Sequence, residues 1–282
     1  MKVVSSESII LKTQDFREKD RLVTFLARDR GRMTGVARGA RGLSAKNLGN
    51  FEPFSQGVMF YTESRTSDLV TIRKCDPTPP YLMLGKSYEK FLFAGYFTEL
   101  VMLSRIPEGE AEKLFLLLAE GLAQLDQVET SKGASAKGGI SSNALMSLHQ
   151  LRLDFELGML AALGLMPDWT RCGDCGRLLL QVRQGRPEVL VPQGLYFDPS
   201  QGYLRCSECP PVSQGVVRVS VGSLAYLVAR RRSGEADAHA VQVRPTRTNL
   251  RELERILRAH LTHNLETVPR SLALLPKVED AG

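Results

Sequence analysis

The chain has 282 residues and 31.2 kDa, is 43% hydrophobic and 24% charged, and so excludes a disordered or low-complexity class while leaving room for about two domains with sizeable cores. The opening apolar run, Ile9–Leu11, is too short for a secretory leader, and no stretch approaches the ~20 apolar residues of a membrane span, so a cytoplasmic location is expected. The net charge of +6 is concentrated: residues 1–50 hold eleven Lys/Arg against five Asp/Glu (11 − 5 = +6), and the other 232 residues carry 26 of each sign, which places any polyanion partner at the N-terminal end.

From Glu7 to about Asp76 the sequence predicts five short strands. "ESIILKT" is β-rich, "RLVTFLARDRGRMTGVARG" reads as two strands joined at Arg28–Gly31, and "PFSQGVMFYTE" and "LVTIRK" are two more joined through "SRTSD". Five strands without an intervening helical pattern suit a small OB-fold barrel. The Gly- and base-rich "ARGARGLSAKNLGN" between the third and fourth strands has little to bury and is expected to be a flexible loop.

After "DPTPP" the period changes to helical. Tyr88, Phe91, Leu92, Gly95, Tyr96 and Glu99 recur at helical intervals, as do Leu114, Leu117, Leu118 and Leu122. "SKGASAKGGISS" (131–142) reads as an interhelix loop. A third helix runs from Asn143, with Leu145, Leu148, Leu151, Phe155 and Leu157 on a broad face, to a cap near Gly164 with Pro167 beyond. "VGSLAYLVARRR" and "NLRELERILRAHLTHNL" are two more, the last with Asn249 and Glu252 in capping-box spacing and a stripe of Leu250, Leu253, Leu257 and Leu261. The expected class is α+β and multidomain: an OB-fold over 1–79, a helical domain over 80–168 and 214–282, and a four-cysteine zinc module inserted at 169–213.

Four of the five cysteines form two C-x-x-C pairs, Cys172/Cys175 and Cys206/Cys209, thirty residues apart. Such spacing aims two thiolates at one ion from a tight knuckle, and two knuckles close a tetrahedral structural zinc shell with no open position. In a reducing compartment metal ligation is favoured over disulfides, and no βαβ context supports a redox dithiol. The insert holds three β-rich runs and two turn signals, enough for a small sheet to return Cys206 beside Cys175. Zinc supplies roughly 10–16 kcal/mol of folding free energy to such a segment. Cys75 reads as an ordinary semi-buried thiol.

No phosphate-binding loop, H-E-x-x-H or G-x-S-x-G occurs. His260 and His263 are expected as exposed polar positions on the last helix, and Asp154 and Glu156 point to different helix faces. The sequence therefore reads as a binding protein and not an enzyme. Bases on a small barrel suit single-stranded nucleic acid, held by phosphate contacts and aromatic stacking. The candidates are Lys12, Arg17, Lys19, Arg21, Arg28, Arg30, Arg32, Arg38, Arg41 and Lys46, with Phe16, Phe25, Phe51, Phe54, Phe60 and Tyr61 as possible stacking platforms, most of them needed in the core. Arg230, Arg231 and Arg232, at a helix end, are secondary candidates.

The order of these features resembles the RecO family of bacterial recombination mediators. The resemblance rests on "SESIILKTQDFREKDRLVTFLARDRGRMTGVARGAR", "LGLMPDWTRCGDCG", "LYFDPSQGYLRCSEC" and "LRAHLTHNLETVPRSLALL". It implies a non-catalytic, nucleoid-associated protein that binds single- and double-stranded DNA and anneals complementary strands. It also implies binding to RecR and to the acidic C-terminal tail of single-stranded-DNA-binding protein, so that RecA is loaded onto coated strands. The implied zinc is structural. A zinc-ribbon and OB protein acting on RNA or in transcription is the alternative.

Overall fold

The computed structural model describes residues 2–41, 51–64, 66–79, 81–130, 140–183, 186–190, 194–209, 215–232 and 245–277. The chain forms two compact units, one of residues 1–129 with 269–275 and one of 130–268 with 276–282.

In the first unit, β1 (Val3–Phe16), β2 (Asp20–Ala27), β3 (Gly31–Ala37), β4 (Gln56–Thr62) and β5 (Val70–Pro77) close a barrel in the order β1-β2-β3-β5-β4. Alternation along the strands turns Ile10, Val23, Phe25, Ala37, Met59, Tyr61 and Ile72 inward as a continuous core. β1 is longer than its apolar centre predicts, because its first half pairs with β4 and its second with β2, around a bulge between Ile10 and Lys12. Closure comes from a parallel pairing of β3 with β5 that sets Gly35 opposite Val70. A Cβ on Gly35 would lie 2.7 Å from Val70 Cγ2 and 2.8 Å from Ile72 Cγ1, so the seam requires a glycine. Cys75 lies inside β5 and is buried, which pushes its thiol up to about 11.

Helices α1 (Tyr88–Leu103) and α2 (Ala111–Gln127) complete this unit. Ser87 caps α1 by accepting from Lys90 N. At its other end, Arg32 of β3 donates through Nη1 to the carbonyls of Val101, Met102 and Ser104 at 3.2, 2.5 and 2.9 Å. A cation there answers the negative end of the helix dipole. A 3-10 turn at Arg270–Leu274 is pinned to α1, where the Glu99 carboxylate accepts from Arg270 N and Ser271 N at 2.9 and 2.8 Å.

In the second unit, α3 (Ser142–Ala162) starts at a Ser141 cap and ends before Gly164, whose φ of +71° is the expected left-handed stop. Then follow a hairpin of β6 (Leu180–Arg183) and β7 (Arg186–Val189), a sheet ordered β10-β8-β9 from β8 (Leu195–Asp198), β9 (Tyr203–Arg205) and β10 (Val217–Val219), and α4 (Val221–Arg232) and α5 (Arg247–Leu265). One core joins them: Trp169, Leu179, Phe197 and Leu204 pack with Leu153 and Leu160 of α3, Leu227 of α4 and Leu253 and Leu257 of α5.

Two expectations about α5 need correction. The capping box is Thr246 with Asn249, not Asn249 with Glu252, and Glu252 instead accepts from Ser220 N. His260 is buried, not exposed: Nε2 meets the Leu165 carbonyl at 2.9 Å and the ring stands edge-on to Phe197. Burial holds its pKa below the usual 6.5.

Candidate metal centre and nucleic-acid interface

The two knuckles meet. A bridge between Cys172 and Leu204 brings the first alongside β9, with Gly173 N donating to the Leu204 carbonyl at 2.8 Å. Gly173 lies beneath the Tyr203 ring, where a Cβ would come within 2.1 Å, so this approach too needs a glycine. In the first knuckle Gly176 N donates to Cys172 O at 2.9 Å with φ +69°, and in the second Cys209 N donates to Cys206 O at 3.1 Å. Across the top, Arg177 pairs with Glu208 and ties one knuckle to the other.

The thiol sulfurs of Cys172, Cys175, Cys206 and Cys209 lie within 4.8 Å of one another, and Cys175 Sγ to Cys206 Sγ is 3.8 Å. A tetrahedron of thiolates at the ~2.3 Å bond length of zinc has edges of about 3.8 Å, so the donor set fits that ion. Burial opposes the Cys172 thiolate, yet N–H groups of Cys175, Cys206 and Asp174 outweigh it and bring that thiol down to about 7. Cys209 is pushed up to about 12, first by its hydrogen bond with Cys175 and then by desolvation. Four thiols this close compete for ionisation, and a divalent cation removes the conflict.

The basic residues of the barrel fall into two groups at opposite ends. At the β2–β3 turn they are engaged. Arg28 pairs with Glu7 at 2.7 Å and Glu112 at 2.6 Å, Arg30 lies 3.7 Å from both Asp29 and Glu63, and Arg32 caps α1. These three line a cleft of about 760 Å³ together with Glu7, Asp29, Glu108 and Glu112, so its acids outnumber its bases four to three and it offers little to a phosphate.

The other end gathers the β1–β2 turn and the segment leaving β3. Arg41 N donates to the Lys19 carbonyl at 3.1 Å and Gly39 N to Asp20 Oδ1 at 2.9 Å, which brings Arg17, Lys19, Arg38 and Arg41 together. Arg38–Arg41 is thus a hydrogen-bonded turn and not the start of a flexible loop; residues 42–50, with Lys46, lie outside the described residues. Arg41 is 3.3 Å from Asp15 and Arg21 3.4 Å from Glu52, both at the surface. Among the described residues, Lys12, Lys19 and Arg38 have no carboxylate partner, and Arg17 stacks over Phe16 at 5.1 Å.

The whole chain is similar to known proteins. Residues 1–81 match the family model described as Recombination protein O N terminal, and residues 141–273 match Recombination protein O C terminal. The DNA repair protein RecO of Anaeromyxobacter sp. (strain Fw109-5) is 33% identical over 91% of this chain and 89% of its own length. The chain belongs to the RecO family. Those of Pelotomaculum thermopropionicum and Roseiflexus sp. (strain RS-1) are 28% and 30% identical over 100% and 98% of this chain and 96% and 86% of their own. The family matches include both groups of residues built above, the barrel end in the first and all four cysteines in the second.

The aromatic candidates of this RecO-family chain divide as well. Phe25, Phe51, Phe54 and Tyr61 are buried, whereas Phe16 and Phe60 are half-buried. Phe60 carries Lys74 over its ring at 4.4 Å, and Lys74 is also paired with Asp76 at 2.7 Å. Lys74 was missed by a charge tally ending at residue 50, and the signal that finds it is the cross-strand register Phe60–Lys74 between β4 and β5. Of the secondary candidates, Arg230 is 3.0 Å from Asp154 and lies over Tyr226; the side chains of Arg231 and Arg232 lie outside the described residues. Among the described residues no helix is long and apolar enough to cross a membrane.

Proposed function

We propose that the chain is a non-catalytic recombination mediator in DNA repair, working in the cytoplasm at the nucleoid. It binds single- and double-stranded DNA, anneals complementary strands and, with RecR, helps load RecA onto strands coated by single-stranded-DNA-binding protein. The observation that carries this reading is the barrel end where Arg17, Lys19 and Arg38, with Lys12 further along β1, stand without carboxylate partners among the described residues, in a chain whose relatives are named DNA repair protein RecO. Unpaired cations on a small barrel bind a strand through its phosphates, and Arg17 over the half-buried Phe16 favours a strand with exposed bases. The metal is zinc, held by Cys172, Cys175, Cys206 and Cys209, and its role is structural.

Capture of the acidic, hydrophobic tail of single-stranded-DNA-binding protein is supported by the outer row of α1. Tyr88 and Phe91 are exposed there, 71% and 49%, and a Cβ on Gly95 would meet open space. The test uses purified protein and complementary strands coated with single-stranded-DNA-binding protein, without nucleotide or added metal. Annealing is expected to accelerate, and to stop accelerating when the coating protein lacks its final tail residues. Equal rates with and without the protein would overturn the proposal.

A further inference from the structure

The exposed side of α5 carries a row of charge that the sequence reading did not assign. Arg247, Arg251, Arg255 and Arg258 are all exposed. At 100° per residue they fall within an arc of about 80°, and they extend over about 16 Å of helix. The two acids interleaved with them face elsewhere. Glu252 accepts from Ser220 N, and Glu254 is held by His149 at 2.5 Å and Arg152 at 3.2 Å. Arg251 is felt by Glu254; Arg247, Arg255 and Arg258 have no ion-pair partner among the described residues. Like charges at i,i+4 oppose a helix, and a cation in its first turn opposes the dipole. Apart from Arg251, which faces the charge of Glu254, the row is charge that the helix itself does not favour.

We propose that the arginine face of α5 is a second strand-binding surface, taking the phosphates of a single nucleic-acid strand while the barrel end holds another. This rests on the annealing function proposed above. A strand stacked as in a duplex presents a phosphate about every 3.4 Å of axis and an extended single strand presents them further apart, so the row reaches several phosphates and at most about five. The chemistry suits annealing in another respect: α5 carries no Phe, Tyr or Trp, so a strand held there is bound without stacking and its bases stay free to pair.

The experiment uses the full zinc-loaded chain and two non-complementary labelled oligonucleotides, with energy transfer reporting both strands on complexes sized to contain one chain. R247Q/R255Q/R258Q is expected to weaken the second strand tenfold or more at 50 mM salt, to flatten its salt slope by about 2 units (0.7 for each of three phosphates), and to leave the first strand within twofold. Annealing of complementary strands should fall in parallel. The lysine triple variant, R247K/R255K/R258K, keeps the charge and should restore co-binding, which separates a binding role from a folding one. Wild-type protein that anneals strands while the glutamine variant co-binds as well as wild type would overturn this inference alone, as would competition at this face by an acidic peptide but not by an oligonucleotide. Wild-type protein that binds no strand at all would instead overturn the function on which it rests.

Discussion

The barrel and the cysteine region are both small β structures of short strands, but their apolar residues have different partners. Ile10, Val23, Phe25, Met59 and Ile72 meet one another across a closed sheet. The strands at 180–219 close on nothing. Their inner residues, Leu180, Phe197, Leu204 and Val219, are buried against α3, α4 and α5, and their outer end is gathered by four thiols, of which Cys175 is exposed. A closed sheet satisfies its edges and its core together, whereas an open one needs a helix layer on one side and, here, is joined by four thiols placed to hold an ion.

Removing two ligands is the largest perturbation of that difference. C172S/C206S should abolish stoichiometric zinc and remove much of the roughly 10–16 kcal/mol that such a site supplies. The single Trp169, fully buried 5.1 Å from Phe197, should shift its emission to the red, while the barrel keeps its strand signal by circular dichroism. Zinc analysis that finds one metal per chain in this variant would break the assignment.

The converse perturbation is Gly35→Val, which places a branched side chain against Val70 and Ile72 at the barrel seam. It should cost about 1–3 kcal/mol, lowering the unfolding transition of the barrel and leaving Trp169 emission unchanged. An equal loss in both transitions would show that the two units are not independently sensitive.

Acid should act on the second unit in a particular window. Burial keeps His260 below its ordinary pKa, so the unfolded chain binds the proton first, and stability falls as pH drops below about 6.5, by no more than about 1.4 kcal/mol per pH unit. Hydrogen bonding to His149 and the charge of Arg152 hold Glu254 low despite its burial, which adds a loss nearer pH 4.5; Asp154, raised by burial, opposes it there. Melting curves followed by Trp169 at pH 7.5 and 5.5 should show the first loss, and His260→Gln should abolish it.

The five strands were legible because apolar residues alternate along them, and the four cysteines because their spacing has few other uses. The parallel closure of β3 on β5 was not, since it depends on the space left by Gly35 opposite a residue far along the chain. The division of the barrel cations was hidden for the same reason: Arg28 pairs with Glu112, 84 residues away. His260 was misjudged although a signal existed. It continues the row of Leu253 and Leu257 at i+7 and i+3, which places it on the buried side of α5 whatever its polarity.

The central claim is that the free cations at one end of the barrel, not the paired ones at the other, hold the strand. It is tested most directly by the salt dependence of binding to a mixed-sequence single-stranded oligonucleotide between 50 and 200 mM. If about five cations of the barrel meet phosphates, the slope of log K against log salt should be about −3.5, and K19Q/R38Q should flatten it by roughly one unit. R28Q/R30Q should leave it unchanged, because those arginines are held by Glu7, Glu112, Asp29 and Glu63. A slope near zero, or one flattened by R28Q/R30Q and not by K19Q/R38Q, would contradict the account.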